Sequence, residues 1–193
     1  MAGWLIAFFL LYFAVAFVLP TVRVRRPTGV NAFVLRSDDS AHGIVGRWFG
    51  AVLIAVLAAL FVLAIGVPAD WLGRLAWAEH DALGIAGMAL LVASLVLVTV
   101  AQAQVGRSWR VGIDFGTQPP LVRDGLFGRS RNPIFLGMRI AMLGLFLTLP
   151  NALTLAALLL AEVLMQVHVR LEEQHLATVI GAEYESYRRS VPR

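Results

Sequence analysis

The stretch Arg131-Asn132-Pro133-Ile134-Phe135-Leu136-Gly137 is where charged, glycine-rich loop chemistry turns abruptly into a long apolar segment. Asparagine is a favoured helix N-cap, and proline at the first helical position is pre-set for the turn. The spacing therefore predicts a helix beginning at Asn132. Its first backbone N–H groups have no partner within the helix and point back into the Val105–Arg131 loop, where they attract anionic groups. A capped helix without further chemistry is the plain alternative.

Other ionisable groups belong to the same end. Pro150-Asn151 separates two apolar runs, Pro133–Leu149 and Ala152–Val169, which predicts an antiparallel helical hairpin. Arg139 lies eleven residues before Pro150, and Glu162 eleven after Asn151. At 1.5 Å per residue both sit about 17 Å from the turn, near the middle of a bilayer. An ionised group at that depth calls for a partner or a polar cavity. Helical phase places Asn132, Phe135 and Arg139 on one face of the first helix of the hairpin. On the second, Glu162, Gln166 and Glu173 fall within about 40°, with Arg170 nearby and Glu172 turned about 100° away. Equal depth sets Arg131 beside Arg170 and Arg129 beside Glu172. His168 lies off this polar stripe and reads as an interfacial or helix-packing residue.

The elements that must hold these groups are apolar. Of the residues 59% are hydrophobic, and the mean hydropathy is +0.78, well above the ordinary soluble range of about 45–50% apolar. All sixteen basic residues are arginine, giving a formal charge of +4. They cluster in loops between apolar runs, which fits retention on one membrane face rather than nucleic-acid binding. No cysteine is present, so thiol catalysis, disulfides and zinc–thiolate sites are excluded, and no other metal site is expected. No Gly-rich dinucleotide or P-loop fingerprint follows a strand-like segment.

Five spans are predicted: Trp4–Leu19, Trp48–Val67, Ala82–Ala103, Pro133–Leu149 and Ala152–Val169. The first is followed, not preceded, by Arg23, Arg25 and Arg26, which argues for a retained helix rather than a signal peptide. The loops Pro20–Gly46 and Val105–Arg131 and the C-terminal tail carry most of the arginine, whereas the Pro68–Asp81 loop holds only Arg74. The asymmetry places the N-terminus outside and the C-terminus in the cytoplasm. The fold class is thus an all-α polytopic helical bundle, one integral membrane domain. Residues 1–103 supply three spans, and 104–193 supply the loop, hairpin and tail. The Val105–Arg131 loop interleaves arginine and glycine with Trp109, Phe115 and Phe127, which favours ordered interfacial segments.

The Arg131–Gly137 motif is followed some thirty-five residues later by Glu172-Glu173 and then by Gly181-Ala182-Glu183-Tyr184-Glu185-Ser186-Tyr187. The combination resembles the isoprenylcysteine carboxyl methyltransferase family of membrane enzymes and, more distantly, the phospholipid N-methyltransferases. The resemblance covers roughly Ala101–Arg193. It implies S-adenosyl-L-methionine held in a cytoplasmic pocket built by the last two helices, the preceding loop and the tail. The family signature reads Arg-His-Pro-x-Tyr-x-Gly. Here Asn132 stands for the histidine and Phe135 for the tyrosine, departures that leave the implied cofactor in place and weaken the case for a prenylcysteine acceptor.

On that resemblance the cofactor-binding candidates are Trp109, Arg131, Asn132, Pro133, Phe135, Gly137, Glu172, Glu173 and Tyr184, and the catalytic candidates are Arg131, Asn132 and Arg170. The helix start and Arg131 suit the methionyl carboxylate. Glu172 and Glu173 suit the ribose hydroxyls and ammonium, and aromatic faces such as Trp109, Phe135 or Tyr184 suit adenine or the sulfonium. Methyl transfer relies heavily on positioning. No residue stands out as a base, which favours a lipophilic carboxylate, thiolate or tertiary-amine-like acceptor over a primary amine. The implied partners are that acceptor and membrane lipid, in a bacterial-type cytoplasmic membrane. An NADPH-dependent reductase of the sterol-reductase type and a non-enzymatic transporter or scaffold subunit are the alternatives.

Overall fold

The computed structural model describes residues 2–29, 32, 34, 38–112 and 120–193. Phe115, named above, lies outside them, as do Arg36 and Gly116 of the arginine- and glycine-bearing loops. The chain is an all-α helical bundle, with no strand among the described residues. Its elements are α1 (Ala2–Phe13), a π-helical turn (Ala14–Val18), α2 (Leu19–Thr28), α3 (Ala41–Ala64), α4 (Asp81–Val105), α5 (Pro133–Thr148), α6 (Ala152–Ile180) and α7 (Ala182–Ser190). Four helical stretches are long and apolar enough to cross a membrane: Gly3–Arg26, Ala41–Ala64, Asp81–Val105 and Ala152–Ile180. The shorter α5 is apolar as well. This is an integral membrane protein.

The first helix departs from the expected boundary. Proline at position 20 was expected to end it, yet the helix runs on to Thr28. A proline removes an N–H from the helical ladder. Here the π turn precedes it, so Pro20 falls in the first turn of α2. Two side chains serve carbonyls around the change of register. Thr21 Oγ1 donates to Phe17 O at 2.6 Å, and Gln102 Nε2 reaches from α4 to Ala16 O at 2.6 Å. Arg25 and Arg26 therefore sit in the last turn of α2, where the macrodipole favours positive charge, with Arg23 one turn before them.

The main core joins Leu5, Phe9 and Tyr12 of α1 to Val56 and Leu60 of α3, Leu91 and Val98 of α4, and Ala141 and Leu145 of α5. Within it α4 and α5 come closest, because glycines face each other across the crossing. A Cβ built on Gly144 would stand 2.8 Å from Gly87 O, and one on Gly87 would stand 2.7 Å from Gly144 O. Small residues at such a crossing let backbones approach, and van der Waals packing holds them where the hydrophobic effect cannot.

The α5–α6 hairpin is tightly made. Asn151 Oδ1 accepts from Thr154 N at 2.9 Å, and Thr154 Oγ1 accepts from Asn151 N at 3.3 Å, a reciprocal capping box that starts α6. The 69–78 loop binds the turn through Leu75 N to Pro150 O (3.1 Å) and Ala152 N to Gly73 O (2.8 Å). In that loop Arg74 grips Glu79 through two nitrogens and holds its carboxyl below the usual range.

Candidate active site at the start of α5

As expected, Pro133 opens α5 and Asn132 occupies the N-cap position. The expected side-chain cap is not made. With φ −133° and ψ 52°, Asn132 sends its side chain across to α6, and Nδ2 donates to Glu173 Oε1 at 3.3 Å. Its own N–H donates to Ser130 Oγ at 3.2 Å. The first-turn N–H groups of α5 are thus not covered by the Asn132 side chain.

Glu173 is the hub. It is 3% exposed, and α6 carries it there because nothing interrupts the helix before Gly181. Arg131 Nε donates to Oε1 at 3.0 Å, while Arg193 Nε and Nη2 donate to Oε2 at 3.0 and 2.7 Å. Burying a carboxylate is costly unless charges and hydrogen bonds compensate it; two guanidiniums and an amide do so here. Arg131 is fixed in turn by the tail, donating through Nη1 to Arg188 O (2.7 Å) and Val191 O (2.6 Å) and through its backbone N–H to Pro192 O (2.8 Å).

Gly181, at φ +69°, lets the chain turn from α6 into α7. Tyr184, Tyr187 and Val191 then bury against Leu121, Leu176, Ala177 and Ile180. Tyr187 O–H donates to Phe127 O at 2.7 Å, and Arg123 pairs with Glu183 at 2.6 Å. Loop and tail are thereby locked together over Arg131. Burial, and then the neighbouring Glu173 carboxylate, pushes the Tyr184 phenol up from its ordinary value. Tyr184 is a neutral phenol at physiological pH, not a base.

A polar ladder leads from this hub towards the middle of the bundle. Arg139 Nε meets Glu162 Oε2 at 2.8 Å, Gln166 Nε2 donates to Glu162 Oε1 at 2.7 Å, and Arg170 Nη1 donates to Gln166 Oε1 at 2.8 Å. The depth argument paired Arg139 with Glu162, and they meet. Between hub and ladder lies a cavity of about 60 Å³ lined by Ser130, Asn132, Leu136, Arg139, Gln166 and Arg193. The Arg139 and Glu162 side chains are 28% and 42% exposed, so their pair is only partly sheltered. A double-mutant cycle with Arg139→Met and Glu162→Leu should give a coupling of about 1–3 kcal/mol in unfolding measurements. Strictly additive losses would show that the pair does not hold the helices.

Of the residues marked in the sequence, the structure gathers Arg131, Asn132, Pro133 and Glu173 at one point, with Arg170 one rung along the ladder. Phe135 packs on His168 (ring centroids 5.2 Å apart), which also meets Phe49, so His168 is a packing residue as expected. Gly137 faces Val98 of α4 rather than the cavity. Trp109 is buried with Val24 and Ala32, and Tyr184 lies in the tail cluster; neither lines the cavity. Glu172 makes no hydrogen bond or ion pair among the described residues, and the expected contact with Arg129 is not formed. Arg193 and the tail carbonyls were missed. Their only signal was the basic character of the tail, since no periodicity links position 193 to position 173.

A model of the phospholipid methyltransferase family matches residues 82–183, just over half the chain. The chain belongs to this family. It is a membrane methyltransferase, which separates it from the reductase and scaffold alternatives. Comparison with curated proteins yields no match. The phospholipid methyltransferase match takes in α4, the loop, α5 and α6 and stops inside α7, so Arg131, Asn132 and Glu173 fall within it and Arg193 falls outside.

Proposed function

We propose that this methyltransferase uses S-adenosyl-L-methionine, bound at the start of α5, to methylate a lipophilic acceptor that approaches along the α5–α6 ladder. The observation that carries the reading is the convergence of Arg131, Asn132 and the Glu173 carboxylate on an uncovered helix N-terminus. The donor set fits the cofactor's chemistry. A helix start with an adjacent arginine suits a carboxylate, and a buried carboxylate suits hydroxyl or ammonium donors. The size fits only with the tail displaced: about 60 Å³ is far below the roughly 300 Å³ of small-molecule pockets. Arg193, which reaches Glu173 from a half-exposed position, is the side chain whose departure enlarges the cavity and frees Oε2.

When bound, the cofactor supplies an electrophilic methyl group on a sulfonium. The protein's part is to position. Asn132 and Arg131 suit the methionyl carboxylate, Glu173 beside them suits the neighbouring ammonium, and Arg139, Glu162 and Gln166 line a polar path between two apolar helices. No described side chain in the cavity is a free base, so the acceptor is one that needs none, such as a carboxylate, thiolate or tertiary amine. Isothermal titration of S-adenosylhomocysteine into the purified protein tests the reading. Saturable binding at one site is expected; absence of binding at millimolar ligand would overturn it.

The arginine asymmetry supports a topology with Arg36, Arg110 and Arg188 on the cytoplasmic side and the N-terminus outside. The chain has no cysteine, so single cysteines at positions 36, 110 and 188 can be labelled without background. They should resist an impermeant maleimide in intact cells and react after permeabilisation. Labelling in intact cells would reverse the topology.

A further inference from the structure

The larger cavity lies elsewhere. Between the π turn with α2 on one side and the end of α4 on the other is a groove of about 250 Å³, lined by Val15, Leu19, Arg23, Thr99, Gln102 and Gly106 among others. We propose that this groove binds one anionic phospholipid, its phosphate on Arg23 and the start of an acyl chain along Leu19 and Val15.

Charge is the first argument. Arg23, like Arg25, Arg26, Arg129 and Arg189, has no side-chain hydrogen-bond or ion-pair partner among the described residues, and of these it is Arg23 that lines the groove. Among the described residues no carboxylate lines the groove. A guanidinium offers a planar fork of donors that matches phosphate oxygens.

Shape is the second. Eight residues separate Val15 from Arg23, about 12 Å along the helix axis. The groove therefore runs from headgroup level down into the hydrocarbon. Val18, Leu19 and Val22 are exposed along the same helix, so the cationic end continues into an apolar wall open to the bilayer. An inorganic anion would use only the upper end of such a groove, whereas a lipid uses its whole length.

The third argument is how the groove is made. The π turn and Pro20 shift the register of the first helix, and Gln102 Nε2 reaches 2.6 Å to Ala16 O at that shift. Such π turns recur at functional sites. Here the irregularity places Arg23 and Leu19 opposite Thr99 and Gln102, the polar end of an otherwise apolar α4.

The groove is separate from the candidate methyl-transfer site. On α5, Gly137 faces α4 while Arg139 faces α6, about 200° apart around the helix. Lipid binding can thus be read without any reference to catalysis.

The test is native mass spectrometry of the full-length detergent-solubilised protein, titrated with phosphatidylglycerol or with phosphatidylcholine of the same acyl chains. One phosphatidylglycerol should be retained about tenfold more tightly, because phosphatidylcholine brings the same phosphate with a choline cation that cancels its charge and is repelled by Arg23. Arg23→Gln should abolish the preference and Arg23→Lys should keep part of it. Arg25→Gln, about 200° away on the same helix, should leave it intact. Equal retention of both lipids, or an unchanged preference in Arg23→Gln, would overturn the proposal. So would full displacement of the lipid by glycerol phosphate alone, which would make the site one for a soluble anion.

Discussion

Purified Glu173→Gln protein is expected to bind S-adenosylhomocysteine ten- to a hundredfold more weakly than the parent, the loss of a charge-assisted hydrogen bond of about 1.5–3 kcal/mol. In the proposed reading the carboxylate accepts from the ligand ammonium while Arg131 and Asn132, beside it, hold the adjacent ligand carboxylate. An amide keeps the shape but donates where an acceptor is required. The substitution also removes the counter-charge of Arg131 and Arg193, so thermal unfolding should fall as well, and the two effects must be separated. Two further variants do so. Glu172→Gln leaves binding nearly unchanged, because Glu172 takes part in no hydrogen bond or ion pair among the described residues. Arg193→Ala loses the tail's ion pair with Glu173 yet preserves or tightens binding, because it frees Oε2 and opens the cavity. Unchanged affinity in Glu173→Gln, or a collapse in Arg193→Ala, would mean that the ion-pair hub is structural and that the ligand sits elsewhere.

Much of this site was legible because the signals that build it are local or periodic. Pro133 after Asn132 marks a helix start from two residues. The uninterrupted run from Ala152 past Val169 carries helix phase to Glu173, and that phase correctly turned Glu173 rather than Glu172 towards α5 and the loop. The shared turn at Pro150-Asn151 gave the depths of Arg139 and Glu162, and so their pairing. What was not legible depends on long-range choices. Asn132 had a local backbone to cap and a distant carboxylate to reach; the strongly accepting Glu173, buried beside Arg131, won. The return of Arg193 to Glu173 depends on the left-handed turn at Gly181 and on the burial of Tyr184 and Tyr187, which no spacing encodes. The first helix outlasted Pro20 because a π turn and two side-chain donors served its carbonyls. One of those donors, Gln102, comes from a helix some eighty residues away.

A large loss of stability should come from a single methyl group at the α4–α5 crossing. Gly144→Ala places a Cβ 2.8 Å from Gly87 O, 3.0 Å from Leu91 N and 3.0 Å from Leu91 Cγ. Two of these three atoms are backbone, so no rotamer change relieves the clash and the helices must separate. Overpacking of this kind costs about 1–3 kcal/mol and occasionally more, and in a membrane it also removes the close packing that replaces the hydrophobic effect between helices. Gly137→Ala should cost less, because its tightest neighbour at 2.5 Å is the Val98 Cγ2 methyl, a side-chain atom that can turn aside. Gly84→Ala is the control: on the same α4, nothing lies within 4 Å of its added Cβ. Helix propensity alone then predicts a gain of about 0.5–1 kcal/mol. Thermal unfolding of the three variants in one detergent should rank Gly84→Ala highest, Gly137→Ala intermediate and Gly144→Ala lowest. A Gly144→Ala protein as stable as the Gly84→Ala control would show that α4 and α5 are not held as close as the facing glycines require. The position of Asn132 and Arg139, carried by α5, would then have to be set by α6 alone.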